Sequence, residues 1–366
     1  MRCMSGECPF FSVVVPCCNV ERYLPEAVES IKNQSFPDWE CVLSYEDSTD
    51  GTRAVCEAAA KGDPRFRVVA GPRSGSPSTP RNRGLDAATG RYVVWLDGDD
   101  FLTDGVFAKL AEALRAHGEP ELLQGGVTEF LEDDRGIRTF FARHFNYEHS
   151  DDGKILTGLE ALTRFADMPR YAMPMASLTV ARRDFLLARG LRFVDGLKYE
   201  DNEWTPRAMT FAERILVVDL DVFQYRRRAG SITTADGVLA AYEQKSRMMR
   251  CLFDFFASHE LSEPMRRVWA RTYVSFFFDQ FFLGDIAEGR DDIAAADWTR
   301  CLRSILEKGG RRAFLKLARY AGLPKKLAAP LILLCGLHPV LDAPARFYVR
   351  RIYHPLVMRR FRKRGR

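Results

Sequence analysis

Four short apolar runs, separated by segments with helical periodicity, constrain the fold of this chain more than any other feature of its sequence. The runs occupy residues 11–15, 39–44, 66–70 and 92–96. In the first connecting segment, apolar side chains recur every third or fourth residue, as they do on the buried face of a helix; they belong to Leu24, Ala27, Val28 and Ile31. Because strands alternate with helices, the sequence predicts an α/β fold with a doubly wound, mostly parallel sheet.

The second half of the chain has a different pattern. A length of 366 residues suits one large domain with an extension, or two domains. After about residue 231 the pattern turns helical, with long segments that lack internal Gly or Pro. From Arg346 to the end there are nine basic residues and no acidic one. We therefore predict an α/β domain over 10–233, a helical C-terminal region over 234–325 and a basic amphipathic tail over 326–366.

The basic tail bears on which partners the chain can have. Apolar and basic side chains alternate in it, a pattern typical of segments that lie on an anionic membrane surface. The alternative to membrane contact is that residues 346–366 are solvated or pack on themselves. The longest apolar stretch, 327–341, is broken by Pro330 and Pro339 and is shorter than the ~20 residues of a membrane-spanning helix. The rest of the chain is mildly acidic and contains no recognition motif, so we expect no nucleic-acid partner.

The cysteines and the N-terminus indicate the compartment. Nine cysteines, with irregular spacing and no Cys-x-x-Cys motif, are typical of reduced thiols in a cytoplasmic protein. Glu7 and Pro9 come before any apolar run develops, which is unlike a signal peptide. The sequence therefore predicts a cytoplasmic protein, and membrane contact of the tail would place it on the inner face of the cell membrane.

An acidic turn follows the fourth predicted strand. It reads Asp97-Gly98-Asp99-Asp100. Three carboxylates within four residues repel one another unless a cation lies among them, and hard oxygen ligands suit Mg²⁺ or Mn²⁺. In doubly wound sheets ligands bind at the carboxyl ends of the strands, where this turn is predicted to lie. The turn therefore predicts a metal site, with a solvated acidic turn as the alternative.

Further charged clusters fall at the same predicted sheet edge or near it. Glu46 and Asp47 follow the second strand and could read a nucleotide base or cap the next helix. Arg81 begins a helix, where it could hold a phosphate, a base edge or only solvent. Glu200-Asp201 lies at a predicted helix start and could supply a general base or a helix cap. Tyr225-Arg226-Arg227-Arg228 could clamp a diphosphate or form a solvated strand end.

In order and spacing, these segments resemble the family-2 inverting glycosyltransferases of GT-A fold, of the type that builds bacterial cell-surface polysaccharides. The resemblance runs from about Phe11 to Thr233. It rests on the opening Val-Val-Val-Pro-Cys-Cys-Asn-Val-Glu-Arg-Tyr-Leu segment, on Ser48-Thr-Asp-Gly51, on Arg81-Asn-Arg-Gly-Leu85, on Ala88-Thr-Gly-Arg-Tyr92, on Asp97-Gly-Asp-Asp100 and on Glu200-Asp201. It implies a sugar transfer, with inversion, from a nucleotide sugar, UDP-linked, to a hydroxyl of a glycan or lipid-linked acceptor.

The resemblance also implies a role for each candidate residue. Asp201 would be the general base, with Glu200 beside it. Asp97 and Asp99 would hold the ribose and the metal, Mn²⁺ or Mg²⁺, with Asp99 or Asp100 as the direct ligand. The donor-binding residues would be Pro16, Cys18, Glu46, Asp47, Arg81, Asp97 and Arg228.

Two departures from the family pattern keep other functions open. Cys18 stands where an aromatic residue is usual, and Tyr45-Glu46-Asp47 replaces the usual Asp-Asp-Gly. A catalytically degenerate sugar-nucleotide-binding protein is therefore one alternative. A nucleotidyltransferase is another, although it would normally need a Gly-rich phosphate loop after the first strand. A dehydrogenase is disfavoured, because no Gly-x-Gly-x-x-Gly follows that strand.

Overall fold

The computed structural model describes residues 8–133, 136–167, 174–227, 237–272, 278, 283, 294–307, 309–336 and 342–362. The chain divides into two compact units, Met1–Ser231 and Ile232–Arg366. Of the predicted site residues, Arg228 lies outside the described residues, and its role stays a prediction.

The described part of the N-terminal unit contains one mixed sheet. Its strands are β1 Phe11–Cys17, β2 Trp39–Glu46, β3 Phe66–Gly71, β4 Tyr92–Trp95, β5 Phe101–Leu102, β6 Leu122–Glu132, β7 Arg138–Phe145, β8 Ile155–Leu156, β9 Thr179–Arg182 and β10 Ile215–Arg227. The order is β3-β2-β1-β4-β9-β6-β10-β5, with β7 paired to β6 and β8 to β10. The predicted parallel α/β sheet is confirmed for β3-β2-β1-β4, and β9 introduces antiparallel pairing.

Helices cover this sheet between its strands. They are α1 Leu24–Lys32, α2 Thr52–Gly62, α3 Ser78–Ala87, α4 Val106–Ala116, α5 Gly158–Asp167, α6 Arg183–Ala188 and α7 Glu200–Phe211. The apolar residues that predicted α1 are those it buries, and Pro25 lies in its first turn. In α3, a Cβ atom at Gly84 would overlap the Val14 side chain of β1, so glycine allows this helix to lie close against the strand.

The C-terminal unit is helical in its described part. Its helices are α8 Val238–Ser258, α9 Glu263–Ala270, α10 Ala295–Leu306, α11 Gly310–Tyr320, α12 Lys325–Gly336, α13 Asp342–Tyr348 and α14 His354–Arg362. Phe255 stacks on Trp269 at 4.8 Å between ring centroids, which packs α8 against α9. Among the helices described, none combines the length and apolar character needed to cross a membrane.

The cysteines correct one expectation. Six described cysteines have free thiols, and Cys17, Cys41, Cys56 and Cys301 of these are buried. Cys8, in contrast, is disulfide-bonded. The expectation of reduced thiols throughout is therefore wrong at Cys8, because spacing alone does not show which sulfur atoms come together.

Candidate active site

The acidic turn Asp97–Asp100 lies where β4 ends and before β5 begins. It passes close to the carboxyl end of β1: a Cβ atom at Gly98 would lie 3.0 Å from the carbonyl oxygen of Pro16. Glycine therefore allows the turn to approach β1 at this point. The two strand ends are adjacent because β1 and β4 pair in parallel.

Arg81 joins the acidic turn to the start of α7. Its Nη2 donates a hydrogen bond of 2.6 Å to Asp97 Oδ1, and its Nη1 donates to Glu200 Oε1. The Arg81 and Glu200 side chains are each 4% exposed, whereas Asp97 is 30% exposed. One buried guanidinium thus connects two acidic motifs that are more than one hundred residues apart in sequence.

Hydrogen bonds between α3 and the segment before α7 hold Arg81 at this place. The Asn82 side chain donates to the Phe193 carbonyl and accepts from the Phe193 N–H, both at 2.9 Å. Ser78 Oγ donates to the Leu197 carbonyl at 2.6 Å. Because Leu197 lies three residues before Glu200, these bonds fix the start of α7 relative to α3.

Three aromatic rings pack together between β4, which leads into the acidic turn, and α7. Trp204 of α7 packs against Trp95 of β4 and Phe193, with ring centroids 5.9 and 4.9 Å apart. Trp204 Nε1 also donates to the Leu191 carbonyl at 3.0 Å. Since Trp95 comes two residues before Asp97, the cluster sets the distance between the acidic turn and α7.

Two of the carboxyl groups around Arg81, those of Glu200 and Asp201, have raised pKa values. Burial raises the pKa of Glu200 to about 8, against the opposing attraction of Arg81. Burial also raises the pKa of Asp201 from its ordinary value. Burial disfavours the charged form of Arg81, but Asp97, Glu200 and Asp201 outweigh this effect and raise its pKa. One cation therefore faces three carboxyl groups, which favours retention of a proton on Glu200.

Asp201 is the less buried of the two acidic residues at the start of α7. Its Oδ1 accepts from the backbone N–H and the Nδ2 of Asn202, at 2.7 and 2.6 Å. In the described part of the chain, its Oδ2 accepts no hydrogen bond. One carboxylate oxygen of Asp201 is therefore oriented and the other is left available to a ligand.

Asp99 and Asp100 are held from the opposite side of the turn by β10. The Arg226 N–H donates to Asp100 Oδ1 at 2.8 Å, and its Nε donates to the Asp99 carbonyl at 3.0 Å. Burial, then the Asp99 and Asp97 carboxylates, raise the pKa of Asp100 well above its usual range. Asp100 Oδ2 is buried and, among the described atoms, has no hydrogen-bond partner.

These carboxylates do not form a metal cage by themselves. Nowhere in the described ranges are three or more His, Cys, Asp or Glu side chains arranged to hold a metal ion. However, Mg²⁺ is often bound through one or two carboxylates, with waters and substrate phosphates completing the shell. The orphaned Asp100 oxygen and the mutual repulsion of the acidic turn fit that second type of site.

The turn after β2 presents Glu46 and Asp47 at the same edge. Glu46 is 2% exposed, and its Oε2 accepts from the Ser74 N–H at 3.2 Å. Glu46 Oε1 lies 3.7 Å from Arg83 Nη2 and has no hydrogen bond among the described residues. Asp47 is exposed, and the partly buried Cys18 approaches its carbonyl, with 4.0 Å between Sγ and O.

The unusual Tyr45 has a structural role. It is 6% exposed, and its hydroxyl accepts from the Ser48 N–H at 3.2 Å. Asn19, in the left-handed region with φ of 53°, accepts from the Thr49 N–H at 2.8 Å. Asn19 thus joins the turns after β1 and β2, and the buried Tyr45 holds the second of these turns.

Two residues near the acidic turn were not singled out by the sequence analysis. Arg226 appeared only as one member of a basic run, and Tyr225 only as its first residue. Burial, then Asp100, Asp97 and Asp99, raise the pKa of Tyr225. The signal available in the sequence was the alternation of β10, which sends Tyr225 and Arg226 to opposite sides.

Known proteins share both the sequence pattern and the fold. Residues 12–163 match the family model described as Glycosyl transferase family 2, which spans the acidic turn and most of the sheet. The match covers less than half of the chain, and over it the sequence is similar to glycosyltransferase family 2.

Proteins of bacteria are similar to this chain. It is 27% identical over 228 residues to the uncharacterized glycosyltransferase EpsJ of Bacillus subtilis, covering 62% of this chain and 63% of EpsJ. It is 32% identical over 193 residues to the minor teichoic acid biosynthesis protein GgaB of the same organism, covering 51% of this chain and 19% of GgaB. The chain thus spans less than two thirds of either relative.

A solved structure shares the fold across both units. The crystal structure of S. aureus TarS 1–349 superposes with a TM-score of 0.68 at 21% identity, covering 94% of this chain and 91% of the TarS fragment. The same fragment has been solved in complex with UDP-GlcNAc, with a TM-score of 0.67. At this level of identity the likeness shows the fold.

Proposed function

We propose that this protein is a family-2 glycosyltransferase that transfers a sugar, with inversion, from a UDP-linked donor to a hydroxyl of a glycan or lipid-linked acceptor. The observation that carries the proposal is the position of Arg81 between Asp97 and Glu200. A transferase must place the sugar donor beside the base that takes the proton from the acceptor hydroxyl. Arg81 does this for the two acidic motifs, because it bonds to both.

The donor site of the proposal lies along the ends of β1, β2 and β4. The oxygen of Glu46 without a hydrogen bond is suited to accept an N–H of the base. Pro16, near the end of β1, would line the nucleotide together with Cys18 and Asp47, which lie in the turns after β1 and β2. The UDP-GlcNAc complex of a protein with this fold supports a UDP-linked donor, as part of the proposal.

A divalent cation, Mn²⁺ or Mg²⁺, belongs to the same proposal. Asp99 and Asp100 would hold it, with Asp97 nearby, and the donor diphosphate would complete its oxygen ligands. When bound, such a cation stabilises negative charge on a departing diphosphate. The protein's part is to keep Asp97, Asp99 and Asp100 in one short turn whose ends are held by Arg81 and Arg226.

Asp201 removes the proton of the acceptor hydroxyl in this mechanism. Asn202 orients the carboxylate through Oδ1, which leaves Oδ2 to accept the proton. The hydroxyl oxygen then displaces the nucleoside diphosphate at the anomeric carbon in one step, which inverts that centre. Glu200, with its raised pKa and its contact to Arg81, is better suited to position Asp201 than to act as the base.

The proposal also covers the acceptor and the location of the protein. The name of GgaB includes teichoic acid biosynthesis, and we accordingly propose a cell-surface polymer or its lipid-linked precursor as acceptor. A cytoplasmic location and contact of 346–366 with an anionic membrane stay predictions. The described part of that tail is helical and contains both exposed Phe347 and several basic residues.

Asp201→Asn tests the proposal. We expect the transfer rate to fall by roughly 10²–10⁴-fold, the usual contribution of a general base, with donor binding retained. The measurement is UDP release from a panel of UDP-sugars with Mn²⁺, alongside thermal shift with UDP. Asp184→Asn, whose side chain is 76% exposed on α6, is the matched carboxyl-to-amide control.

Two outcomes would change the proposal. Wild-type turnover by Asp201→Asn would remove Asp201 from the role of base. Binding of UDP without turnover in the wild type would indicate a sugar-nucleotide-binding protein that has lost catalysis.

A further inference from the structure

Arg226 is a buried arginine that contacts two successive residues of the acidic turn. Its side chain is 2% exposed. Its backbone N–H bonds to the Asp100 carboxylate, and its Nε bonds to the Asp99 carbonyl oxygen. The backbone and side chain of one residue in β10 therefore fix both the path of the turn and the rotation of the Asp100 carboxylate.

This contact decides which Asp100 oxygen is available. Oδ1 accepts from Arg226, while Oδ2 is buried without a hydrogen-bond partner among the described residues. A buried carboxylate oxygen without a donor is costly unless a cation or a water satisfies it. Arg226 thus orients the oxygen that would serve as a ligand.

An arginine without anionic partners would weaken the binding of a neighbouring cation by repulsion. Here two glutamates balance the positive charge of Arg226. The Arg226 guanidinium donates to Glu132 through Nη1 and to Glu26 through Nη2. Its plane lies between the rings of Tyr23 and Phe130, with 5.0 and 4.8 Å from Cζ to the ring centroids. The balanced charge and the fixed plane let Arg226 hold the turn without placing a net positive charge next to it.

We infer that Arg226 is a positioning residue for the proposed cation site: its side chain acts through the Asp99 carbonyl, while its backbone N–H holds the Asp100 carboxylate. This inference rests on the proposed function, since it needs a cation to bind at that turn. It assigns to the middle of the basic run a role different from direct contact with a diphosphate.

The test compares Arg226→Met and Arg226→Lys with Arg138→Gln. Arg138 pairs with the same Glu26 and Glu132, but its side chain is 33% exposed and none of its described hydrogen bonds or ion pairs is with the acidic turn. Mn²⁺ binding in the presence of UDP is followed through the electron paramagnetic resonance signal of free Mn²⁺, with no turnover needed. Thermal midpoints without ligand report folding separately.

Arg226→Met should weaken Mn²⁺ binding by about 10–100-fold, the usual effect of losing a residue that orients a metal ligand. Arg226→Lys should also bind weakly, because a single ammonium group cannot reproduce the planar set of contacts to Asp99, Glu26 and Glu132. Arg138→Gln should bind Mn²⁺ as the wild type does.

The outcomes separate this inference from the proposed function. If wild-type protein with UDP does not bind Mn²⁺, the cation-dependent part of the proposed function fails. If the wild type binds and Arg226→Lys binds equally well, Arg226 serves folding only and the inference is overturned. Should Arg226→Met not fold, the comparison of Arg226→Lys with Arg138→Gln decides alone.

Discussion

Two buried arginines hold opposite ends of the acidic turn, and they have different surroundings. Arg81, from α3, bonds to Asp97 and to Glu200. Arg226, from β10, bonds to the Asp99 carbonyl, to the Asp100 carboxylate and to two glutamates. Both arginines are almost fully buried, so the difference lies in their partners and not in their exposure.

The balance of charge distinguishes the two sites. Around Arg226, Glu26 and Glu132 also bond to Arg138, so two cations meet two glutamates. Around Arg81, one cation meets Asp97, Glu200 and Asp201. An unbalanced, buried acidic group in a cleft is typical of functional sites, whereas a balanced network is typical of structural support. We therefore regard the Arg81 site as the reactive one and the Arg226 site as its support.

Removing each guanidinium should have very different effects on stability. Arg81→Met leaves Glu200 buried without a cation, and loss of one partner of a buried pair typically costs about 3–5 kcal/mol. The loss should be larger at pH 8.5 than at pH 5.5, because Glu200 is then ionised. Urea unfolding of both variants at these two pH values provides the measurement.

Arg226→Met should cost less and should respond less to pH. Its glutamates remain partly exposed and retain Arg138. Equal losses for the two variants, with the same dependence on pH, would contradict the distinction between a reactive and a supporting site.

The wild-type protein should lose stability as pH rises, because of Glu200. Its pKa of about 8 in the folded state lies above its ordinary value of 4.5, so the folded state keeps a proton that the unfolded state releases. This contribution is fully present below pH 4.5 and is lost as pH rises through about 8. We expect a loss on the order of 4 kcal/mol between pH 5 and pH 9.

Glu200→Gln is the variant that isolates this effect. Glutamine does not titrate, so the decline in unfolding free energy between pH 5 and pH 9 should become shallower, with the remainder due to the raised pKa of Asp201. Glu57→Gln, with a side chain 60% exposed on α2, should keep the wild-type profile. An unchanged profile in Glu200→Gln would mean that Glu200 is already ionised at neutral pH.

The sequence predicts the parallel half of the sheet well because its signals are local. Residues 11–15 lie in β1, and the periodic side chains of α1 are those that become buried. β7 has no such signal, since its residues are exposed or half-buried and do not alternate. That strand exists through its pairing with β6, which a local pattern cannot reveal.

The residues of the candidate site also divide into those with a local sequence signal and those without one. The carboxylates of Asp97–Asp100 could be found from their spacing, because their repulsion is a local property. The link from Arg81 to Glu200 could not, since it depends on hydrogen bonds between α3 and the segment before α7. Arg226 was equally hidden, because the glutamates that balance it come from α1 and β6.

Trp204→Phe should affect the Arg81 site but not the Arg226 site. Of the variants considered, it should change the free energy of unfolding least. Phenylalanine keeps a ring against Trp95 and Phe193 but leaves the Leu191 carbonyl without its donor, which should cost about 1 kcal/mol. Because α7 carries Asp201, the transfer rate should fall, while Mn²⁺ affinity, set on the β10 side, should stay unchanged. UDP release, Mn²⁺ titration and urea unfolding measure these three quantities.

Trp298→Phe in α10 is the matched control for Trp204→Phe. Trp298 is also fully buried, but its Nε1 makes no hydrogen bond within the described structure. Removal of that nitrogen leaves no carbonyl unpaired, so neither transfer nor cation binding should change. If Trp204→Phe weakened Mn²⁺ binding as strongly as transfer, the two arginine sites would respond as one unit, and the separation between reactive and supporting ends of the turn would not hold.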